Sequence, residues 1–564
     1  MADNTKLKLN LPCRLHPFLR IPVFITLSIL LNGCAQIVKP TGGPKDTTPP
    51  KALIYSPENK STHFNSTKIV ITFNKYIQLK NIDAQLVISP PLKYFPKVTV
   101  AGGKSLVIAI KDTLHDSTTY TFNFGNSIAD ITEGNIVHNF RYVFSTGSYI
   151  DSLSLSGNIT DAFTQTPLKD GIVMLYTSSN DSAPYKELPY YYARSDDKGR
   201  FAIENIKAGK YRAVALSKTG TDYFYHPYTE EIGFADKPLE IHRNDTTNIE
   251  LFTEVDPKLR ILKTKAQEPN KILIAFNTSA DSLSIMPLNL PSDTILYSHL
   301  QYSVTGDSAY YWLYVPRLDS LKFTVLRNKK IVDTASISTF PAKHFQKAGA
   351  KREALRLSLN VRDNQQDYDY HLPLNIQSPY PIAKLKLQNI IITRRKDTLH
   401  FTADTLSMPF AVSLRAALQA DSAYQLLIRP GAFTDYSGKV NDTVKARFAT
   451  DKPTYFGSLK LTVKVIRKIP FIIQLLDEHG NVLRKDYIRD STAASPSGGK
   501  GIVISYEAMP PANYRIRAIE DEDGTGKWRT GNYLKHIPPA KVYYFPQPVT
   551  IRSDWDITQD WLVQ

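Results

Sequence analysis

The stretch TYTFNF at residues 119–124 alternates polar and aromatic side chains without interruption. Successive side chains of a β-strand point to opposite faces of a sheet, so this alternation predicts a strand with one aromatic face. Runs of similar character surround it, namely KIVITF at 68–73, SLVIAI at 105–110 and FRYVF at 140–144. Short β-rich runs with turn residues between them predict an antiparallel β-sandwich.

The same kind of pattern continues along the rest of the chain. Its 564 residues, 42% hydrophobic and 22% charged, are enough for four or five domains of about 100–150 residues, each with its own core. We therefore predict an all-β protein made of tandem antiparallel β-sandwich domains. Because few residues separate the domains, we expect an elongated rod. The predicted domains are 51–147, 152–254, 255–345, 346–451 and 452–564.

The first of these domains resembles a bacterial Ig-like domain of the type found in surface-layer proteins and Bacteroidota lipoproteins. The pieces that carry the resemblance are TTPPKALIYSPENKS at 47–61, KIVITFNKYI at 68–77 and the closing FST at 144–146. Domain 255–345 is interpreted as an Ig-like variant, since its runs at 272–276 and 310–315 have strand character.

Domain 152–254 carries a different set of motifs. A strand opens at Gly157, the next covers 171–176, and Asp197-Lys198-Gly199 forms a tight turn because glycine tolerates positive φ. Another strand begins at 209–211. This order resembles the carboxypeptidase regulatory-like domain, a transthyretin-like sandwich. The resemblance is to this accessory module, and no zinc-binding catalytic segment accompanies it.

Two internal repeats follow from the sequence. The region 114–146 is echoed at 420–450, where an Asp-Ser pair, a tyrosine and a closing Phe-x-Thr recur in the same order. This predicts that 346–451 is a second Ig-like domain. Residues 511–518 parallel 208–215, which predicts a second regulatory-like sandwich at the end of the chain.

The N-terminal region has the features of an export signal. Basic residues precede an apolar run at 21–31, which is too short for a bilayer span of about 20 residues. The ending Leu31-Asn32-Gly33-Cys34 resembles the bacterial lipobox. The resemblance implies cleavage between Gly33 and Cys34, removal of the signal peptide 1–33, and lipidation of Cys34. The Gly- and Pro-rich segment 34–50 is predicted to be a flexible tether.

Taken together, the lipobox, the tether and the modules resemble Ig-like-domain lipoproteins of the Bacteroidota. This implies attachment to the outer membrane of a Gram-negative bacterium. Residues 35–39 contain no acid, whereas surface-exported lipoproteins of that group carry acids there, so the periplasmic face is favoured. The chain has two cysteines, and Cys13 leaves with the signal, so no internal disulfide stabilises the mature protein.

The formal charge of +16 suggests contact with anionic lipid head groups or with nucleic acid. An exported, anchored chain whose lysines and arginines are spread along its length is not expected to bind nucleic acid. The motifs HExxH, GxSxG, CxxC and the phosphate-binding loop are all absent from the sequence. We therefore predict that the protein is not an enzyme and has no catalytic residues.

One segment suggests a metal. DEDGTGK at 521–527 places Asp521, Asp523 and Thr525 at positions 1, 3 and 5 of a loop with glycine at position 6, as in a calcium loop. Position 9 is Arg529, which repels a cation, and position 12 is Asn532 instead of a bidentate glutamate. A structural turn and a weak calcium site both remain open.

Tyrosine is abundant, with 32 residues, and two runs at 190–192 and 223–228 fall within one domain. Only half of the side chains of a strand can face its core, so some of these rings are expected at the surface. They either cover the edges of the sandwich or form a partner-binding face, whose residues are Tyr190, Tyr192, Tyr223, Tyr225 and Tyr228.

The predicted function is that of a non-enzymatic outer-membrane lipoprotein that acts as a structural or protein-interaction scaffold for an envelope protein or complex. A glycan-binding accessory protein of nutrient uptake is the first alternative, and it requires exposed aromatic platforms in one groove. An enzyme with an unrecognised site is the second, and it requires a deep pocket with convergent carboxylates or a bound metal.

Overall fold

The computed structural model describes residues 45–217, 223–268, 270–280, 282–290, 295–303, 305–315, 320–338, 354–405, 409–467, 469–489 and 501–563. These residues form small β-sheets that are mostly antiparallel, so the predicted all-β fold is confirmed. The helical elements are single turns, at Ile82–Gln85, Ala183–Lys186, Leu387–Asn389 and Pro453–Tyr455.

The first sandwich contains ten strands: β1 (Ala52–Ser56), β2 (Lys68–Phe73), β3 (Ile77–Leu79), β4 (Val87–Ser89), β5 (Lys97–Ala101), β6 (Ser105–Ala109), β7 (Thr119–Asn123), β8 (Ile128–Asp130), β9 (Ile136–Val137) and β10 (Arg141–Ser145). Its sheets have the orders β1-β2-β6-β5, β10-β7-β4 and β3-β8-β9. Tyr120, Phe122 and Phe124 are buried in one core, as their alternation predicts. Phe144 lies at the centre of that core, stacked on Phe64 with 3.8 Å between ring centroids.

The second sandwich contains nine strands: β11 (Leu153–Asp161), β12 (Ile172–Tyr176), β13 (Tyr191–Arg194), β14 (Arg200–Ile206), β15 (Gly209–Ser217), β16 (Glu231–Phe234), β17 (Leu239–Ile241), β18 (Asp245–Thr246) and β19 (Ile249–Thr253). The main path of pairing is β13-β12-β15-β16-β19-β11-β14. β11 pairs in parallel with β18 and β19, while its partner β14 is antiparallel.

Gly199 occupies the turn before β14, with φ of +72°. Its neighbour Asp196 accepts hydrogen bonds from the N–H groups of Lys198 and Arg200, each at 2.9 Å. A Cβ atom at position 199 would lie 2.5 Å from the carbonyl oxygen of Ile159. The predicted turn is therefore present, and glycine meets both a conformational and a steric demand.

Gly199→Ala is expected to destabilise the second sandwich by about 1–2 kcal/mol, because positive φ and the contact with Ile159 both disfavour a side chain. Thermal unfolding checks this. Gly480→Ala is the control, since position 480 also has positive φ (+84°) but a Cβ atom there would have no other atom within 4 Å. Equal losses in the two variants would show that the contact with Ile159 adds nothing.

The third sandwich contains β20 (Ile261–Glu268), β21 (Lys271–Phe276), β22 (Leu283–Pro287), β23 (Tyr297–Tyr302), β24 (Ser308–Tyr314), β25 (Ser320–Arg327) and β26 (Lys330–Ser338). Two sheets, ordered β20-β21-β24-β23 and β22-β25-β26, enclose its core.

The fourth sandwich contains β27 (Ser358–Leu359), β28 (Gln365–Tyr368), β29 (Leu374–Gln377), β30 (Ile382–Leu385), β31 (Ile390–Arg394), β32 (Asp397–Leu399), β33 (Phe401–Asp404), β34 (Ala411–Ala416), β35 (Ala423–Ile428), β36 (Phe433–Asp435) and β37 (Val444–Thr450). Its β27-β29-β34-β33 sheet repeats the β1-β2-β6-β5 order of the first sandwich. A hydrogen bond from a backbone N–H to a tyrosine hydroxyl is also repeated. The hydroxyl of Tyr120 accepts from the N–H of His115 at 2.9 Å, and the hydroxyl of Tyr424 accepts from the N–H of Gln419 at 2.7 Å.

The fifth sandwich contains β38 (Gly457–Val465), β39 (Phe471–Leu476), β40 (Val482–Ile488), β41 (Ile502–Met509), β42 (Ala512–Glu520), β43 (Val542–Tyr544), β44 (Val549–Ile551) and β45 (Asp556–Val563). It repeats the second sandwich, since β38 pairs in parallel with the late strand β45. The hydroxyls of Tyr211 and Tyr514 donate to equivalent carbonyls, those of Lys207 at 2.7 Å and Pro510 at 2.8 Å.

The predicted end-to-end rod is wrong. The fifth sandwich contacts the second through hydrogen bonds between residues 277 to 381 positions apart in sequence. The rod was expected because short connections were assumed to separate the sandwiches. Instead, an outer face of the second sandwich is apolar and is covered by residues of the fifth.

Candidate interaction sites at the sandwich junctions

The five tyrosines predicted to form a partner-binding face lie in or beside the second sandwich, but they do not form one exposed surface. Tyr192 and Tyr225 are buried, with 3% and 2% of their surface exposed. Tyr190 and Tyr223 are partly buried, and Tyr228 is 42% exposed. Their binding of another molecule stays a prediction, whereas their contacts within the chain are visible.

Tyr192 connects the first and second sandwiches. Its N–H donates to Ser89 Oγ at 3.2 Å, and its hydroxyl accepts from the N–H of Ile88 at 3.0 Å. The hydroxyls of Tyr192 and Tyr223 are 2.7 Å apart. Burial raises the pKa of Tyr192 well above its usual value, so the ring stays neutral. Tyr192 therefore links the second sandwich to the first through hydrogen bonds to Ile88 and Ser89.

Polar side chains complete the contact between these two sandwiches. Thr121 Oγ1 donates to Asn205 Oδ1 at 3.1 Å, and Asn205 Nδ2 donates to the carbonyl of Asp151 at 2.8 Å. Arg141 forms an ion pair with Glu204. β7 is therefore buried on both faces, which its alternating sequence alone does not indicate.

Beside these hydrogen bonds and ion pair, a cleft of about 950 Å³ lies between the first and second sandwiches. One wall includes Asn126, His138 and Asn139, and the other includes Lys169 and Arg194. Polar and charged groups of both signs line it, which suits a polar, charged segment of a partner. The aromatic rings that line it, Tyr192 and Phe201, are buried residues, so neither offers a sugar an exposed stacking face.

Glu254 organises the junction between the second and fifth sandwiches. This carboxylate is 5% exposed. Its Oε2 accepts from the hydroxyl of Tyr225 at 2.8 Å, and its Oε1 accepts from the N–H of Tyr533 at 2.8 Å. Nearby, Thr530 Oγ1 donates to the carbonyl of Thr253 at 2.7 Å. A buried carboxylate with two such donors fixes the relative position of the two sandwiches.

Phe163 forms the apolar part of the same junction. Its ring lies 5.0 Å from that of Trp528, and the guanidinium of Arg517 lies 4.4 Å from its centroid. Arg517 is itself buried and donates from Nε to Gln474 Oε1 at 2.6 Å. Lys541 and Glu250 add an ion pair at 2.8 Å. The junction thus combines cation–π, apolar and ionic contacts.

Aromatic contacts also join the remaining neighbours. Trp312 of the third sandwich is buried, with its ring 5.3 Å from that of Phe410 in the fourth. Tyr297 stacks on Tyr436 at 3.8 Å. Phe456, just before the fifth sandwich, packs on aromatic rings of the fourth. The third, fourth and fifth sandwiches are therefore joined in series by aromatic contacts, and the fifth also contacts the second.

Sequence reasoning missed the residues that join the fifth sandwich to the second, Glu254, Phe163, Arg517 and Tyr533. One signal was available in the strands beneath them. β12 reads IVMLY and β39 reads FIIQLL, and every residue of both is buried. A strand without polar alternation is covered on both faces, and in a sandwich that requires a further layer.

The segment 521–527 is a hydrogen-bonded turn. Asp521 accepts from the N–H of Gly526 at 3.0 Å, and Asp523 accepts from the hydroxyl of Thr525 at 2.9 Å. The neighbouring Glu522 pairs with Arg467 and Arg529. Across the described ranges, no group of three or more His, Cys, Asp or Glu residues is arranged to hold a metal. Calcium binding by Asp521, Asp523 and Thr525 stays a prediction.

The predicted cleavage and lipidation at Gly33 and Cys34 lie outside the described residues. Within the described part of the chain, no helix has the length and apolar character needed to cross a membrane.

Comparisons with known proteins give one family match and several distant structural similarities. The chain is similar to the S-layer protein SbsC (14% identity, 84% of this chain and 65% of that one, TM-score 0.14). It is similar to BcpA, the major pilin subunit of Bacillus cereus (9% identity, 73% of this chain and 99% of that one, TM-score 0.13). A third similarity is to SGBP-B of the Bacteroides ovatus mixed-linkage glucan utilization locus, solved with a mixed-linkage heptasaccharide (10% identity, 72% of this chain and 94% of that one, TM-score 0.16).

The chain thus spans 65% of the length of the S-layer chain, and at these TM-scores the similarities carry no inference about function. No curated protein matches the sequence. Residues 46–146 match the family model described as a bacterial Ig-like domain. These residues include all of the first sandwich, β1 to β10. The chain is therefore an all-β, multidomain protein that carries a bacterial Ig-like domain at its first sandwich.

Proposed function

We propose that this protein is a non-enzymatic lipoprotein, anchored through Cys34 to the periplasmic face of the outer membrane, that acts as a scaffold for an envelope protein or complex. In this proposal the first and fourth sandwiches are Ig-like modules, and the second and fifth are regulatory-like modules without catalytic function.

The buried junctions between the sandwiches, above all the one that brings the fifth onto the second, support this proposal. Buried aromatic rings, the Glu254 carboxylate and the Arg517 guanidinium, through its contact with Phe163, hold sandwiches to one another. A frame fixed in this way presents its surfaces in a constant geometry, which lowers the entropic cost of binding a partner. The anchor adds a second advantage, because encounter with another membrane-bound protein then has a high effective concentration.

The cleft between the first two sandwiches is the proposed binding surface. Its charged and amide groups match a polar protein segment, and the burial of Tyr192 and Phe201 leaves its lining without an exposed aromatic platform for a sugar. Lys169 lines the cleft and is paired with Asp197 at 2.7 Å, so a partner carboxylate can compete for it.

The test is a mild-detergent pull-down from outer membranes with a C-terminally tagged chain. We expect a defined envelope protein to co-purify, and Cys34→Ala to abolish its recovery. Lys169→Glu is expected to reduce recovery at least about tenfold, because it places like charge beside Asp197 and repels an acidic partner.

Lys210→Glu is the matched control. Lys210 is as exposed as Lys169, at 65% and 63% of the side chain, and it also pairs with a carboxylate, that of Glu240, but it does not line the cleft. Equal recovery with both variants rejects the cleft as the binding surface. A chain that recovers no protein but retains an oligosaccharide on a glycan array rejects the scaffold in favour of glycan binding.

A further inference from the structure

One end of the first sandwich gathers the start of the described chain and several strand ends. Strand register defines this end: Ala52 pairs with Phe73, and Thr72 pairs with Ser105. Ser105 in turn pairs with Ala101, so the hairpin turn at 102–104 lies there as well. The N–H of Lys51 donates to Asn74 Oδ1 at 2.8 Å, which fixes the entering chain to the same end. We call this end the tip.

Large apolar side chains are exposed at or beside the tip. Leu53 and Ile54 are each 63% exposed, Tyr76 is 58% exposed and Ile131 is 54% exposed. The N–H of Ile131 donates to the carbonyl of Tyr76 at 3.1 Å, so these two residues are neighbours. Single exposed apolar residues are ordinary on a soluble protein, but a group at one end indicates a surface that meets an apolar partner.

Lysines surround these apolar groups. The ammonium of Lys104 lies 4.9 Å from the ring centroid of Tyr76. Lys45 pairs with Glu133 at 3.7 Å, and Lys75 with Asp46 at 2.5 Å, so these exposed acids are already neutralised. The remaining carboxylate, Asp130, is buried and accepts hydrogen bonds from the N–H groups of residues 133 and 134. Lys51 and Lys104 leave the tip with an excess of positive charge.

The position of the tip in the chain identifies its partner. Ten residues lie between Cys34 and Lys45, and the eleven steps along the chain, at about 3.3–3.6 Å each, reach at most about 40 Å. The tip is thus the part of the described structure closest in sequence to the proposed lipid. Tyrosine with aliphatic side chains and lysine is the composition that favours the interface of an anionic bilayer.

We propose that the tip rests on the membrane surface, with Tyr76, Ile131, Leu53 and Ile54 at the level of the head groups and the lysines beside anionic lipids. This inference rests on the lipid anchor of the proposed function. It adds a second, reversible contact that orients the first sandwich relative to the bilayer, so that the later sandwiches project in a defined direction.

Flotation of the full chain carrying Cys34→Ser with vesicles of phosphatidylethanolamine and phosphatidylglycerol tests the tip without the anchor. We expect binding that weakens at high salt and on omission of phosphatidylglycerol. Tyr76→Ser combined with Ile131→Ser is expected to lower the partition coefficient at least about tenfold. Tyr149→Ser is the matched control. Tyr149 is 55% exposed but follows the C-terminal end of β10, at the end of the first sandwich opposite the tip.

Failure to bind these vesicles, or equal binding by the double variant and the control, overturns the proposal. A photo-crosslinker at position 131 of the native, lipidated chain adds a second measurement. Adducts with lipid are expected, whereas adducts with a protein, or with residues 35–44 of the chain itself, overturn it. The anchor is tested separately by labelling cells with a tagged fatty acid: the native chain is expected to incorporate it and Cys34→Ala is not, and a native chain without label rejects the lipid attachment, whatever the vesicles show.

Discussion

Phe144→Ala is expected to lower the free energy of unfolding of the first sandwich by about 3–5 kcal/mol. The ring is fully buried, and it contacts Phe64 at 3.8 Å, Tyr120 at 5.5 Å and Phe122 at 5.8 Å. Its removal leaves a cavity that these large rings cannot collapse to fill. Urea unfolding followed by near-ultraviolet circular dichroism measures this loss of free energy in the transition of the first sandwich.

Tyr149→Ala provides the control, because that side chain is 55% exposed and its truncation leaves no cavity. The equivalent substitution in the fourth sandwich, Phe448→Ala, should produce a loss of similar kind in a different transition, since Phe448 packs on Tyr424 at 5.5 Å as Phe144 packs on Tyr120. A loss below about 1 kcal/mol for Phe144→Ala would contradict the central position assigned to this ring.

Glu254→Ala is expected to destabilise the junction of the second and fifth sandwiches by about 2–4 kcal/mol. The hydroxyl of Tyr225 and the N–H of Tyr533 would both lose their acceptor in a buried site, and each orphaned donor costs about 1–3 kcal/mol. We expect limited proteolysis near residues 528–540 to accelerate, together with a lower thermal transition.

Glu254→Gln keeps one carbonyl acceptor and the side-chain volume, so its effect should be smaller than that of alanine. Glu240→Ala is the control, as its side chain is 64% exposed and pairs only with Lys210 at 3.4 Å among the described ion pairs. If alanine at 254 leaves protease resistance unchanged, the junction does not depend on this carboxylate.

Local patterns were sufficient to predict the fold class. The alternation at 119–124 follows from the pleat of one strand, and the turn at Gly199 follows from the backbone freedom of glycine. The repeats were visible for the same reason, because each motif, such as the tyrosine that accepts a backbone hydrogen bond, lies within a few residues of its partner.

The candidate sites could not be predicted in the same way, because their contacts join distant parts of the chain. Tyr225 and Tyr533 meet on opposite oxygens of Glu254, although Tyr533 is 279 residues from that carboxylate. Alternation indicates that one face of a strand is buried but not what covers the other. The tyrosines at 192 and 225 were therefore placed on a surface, while the structure buries them.

The return of the fifth sandwich onto the second has a consequence for biogenesis. In the export that the proposed function requires, the polypeptide crosses the inner membrane from its N-terminus, so the second sandwich would emerge long before residues 528–544, which cover its apolar outer face. Until those residues arrive, that face exposes apolar side chains through which the chain can aggregate with other proteins. Maturation of this protein should accordingly require a periplasmic holdase for as long as the last tenth of the polypeptide is still in transit.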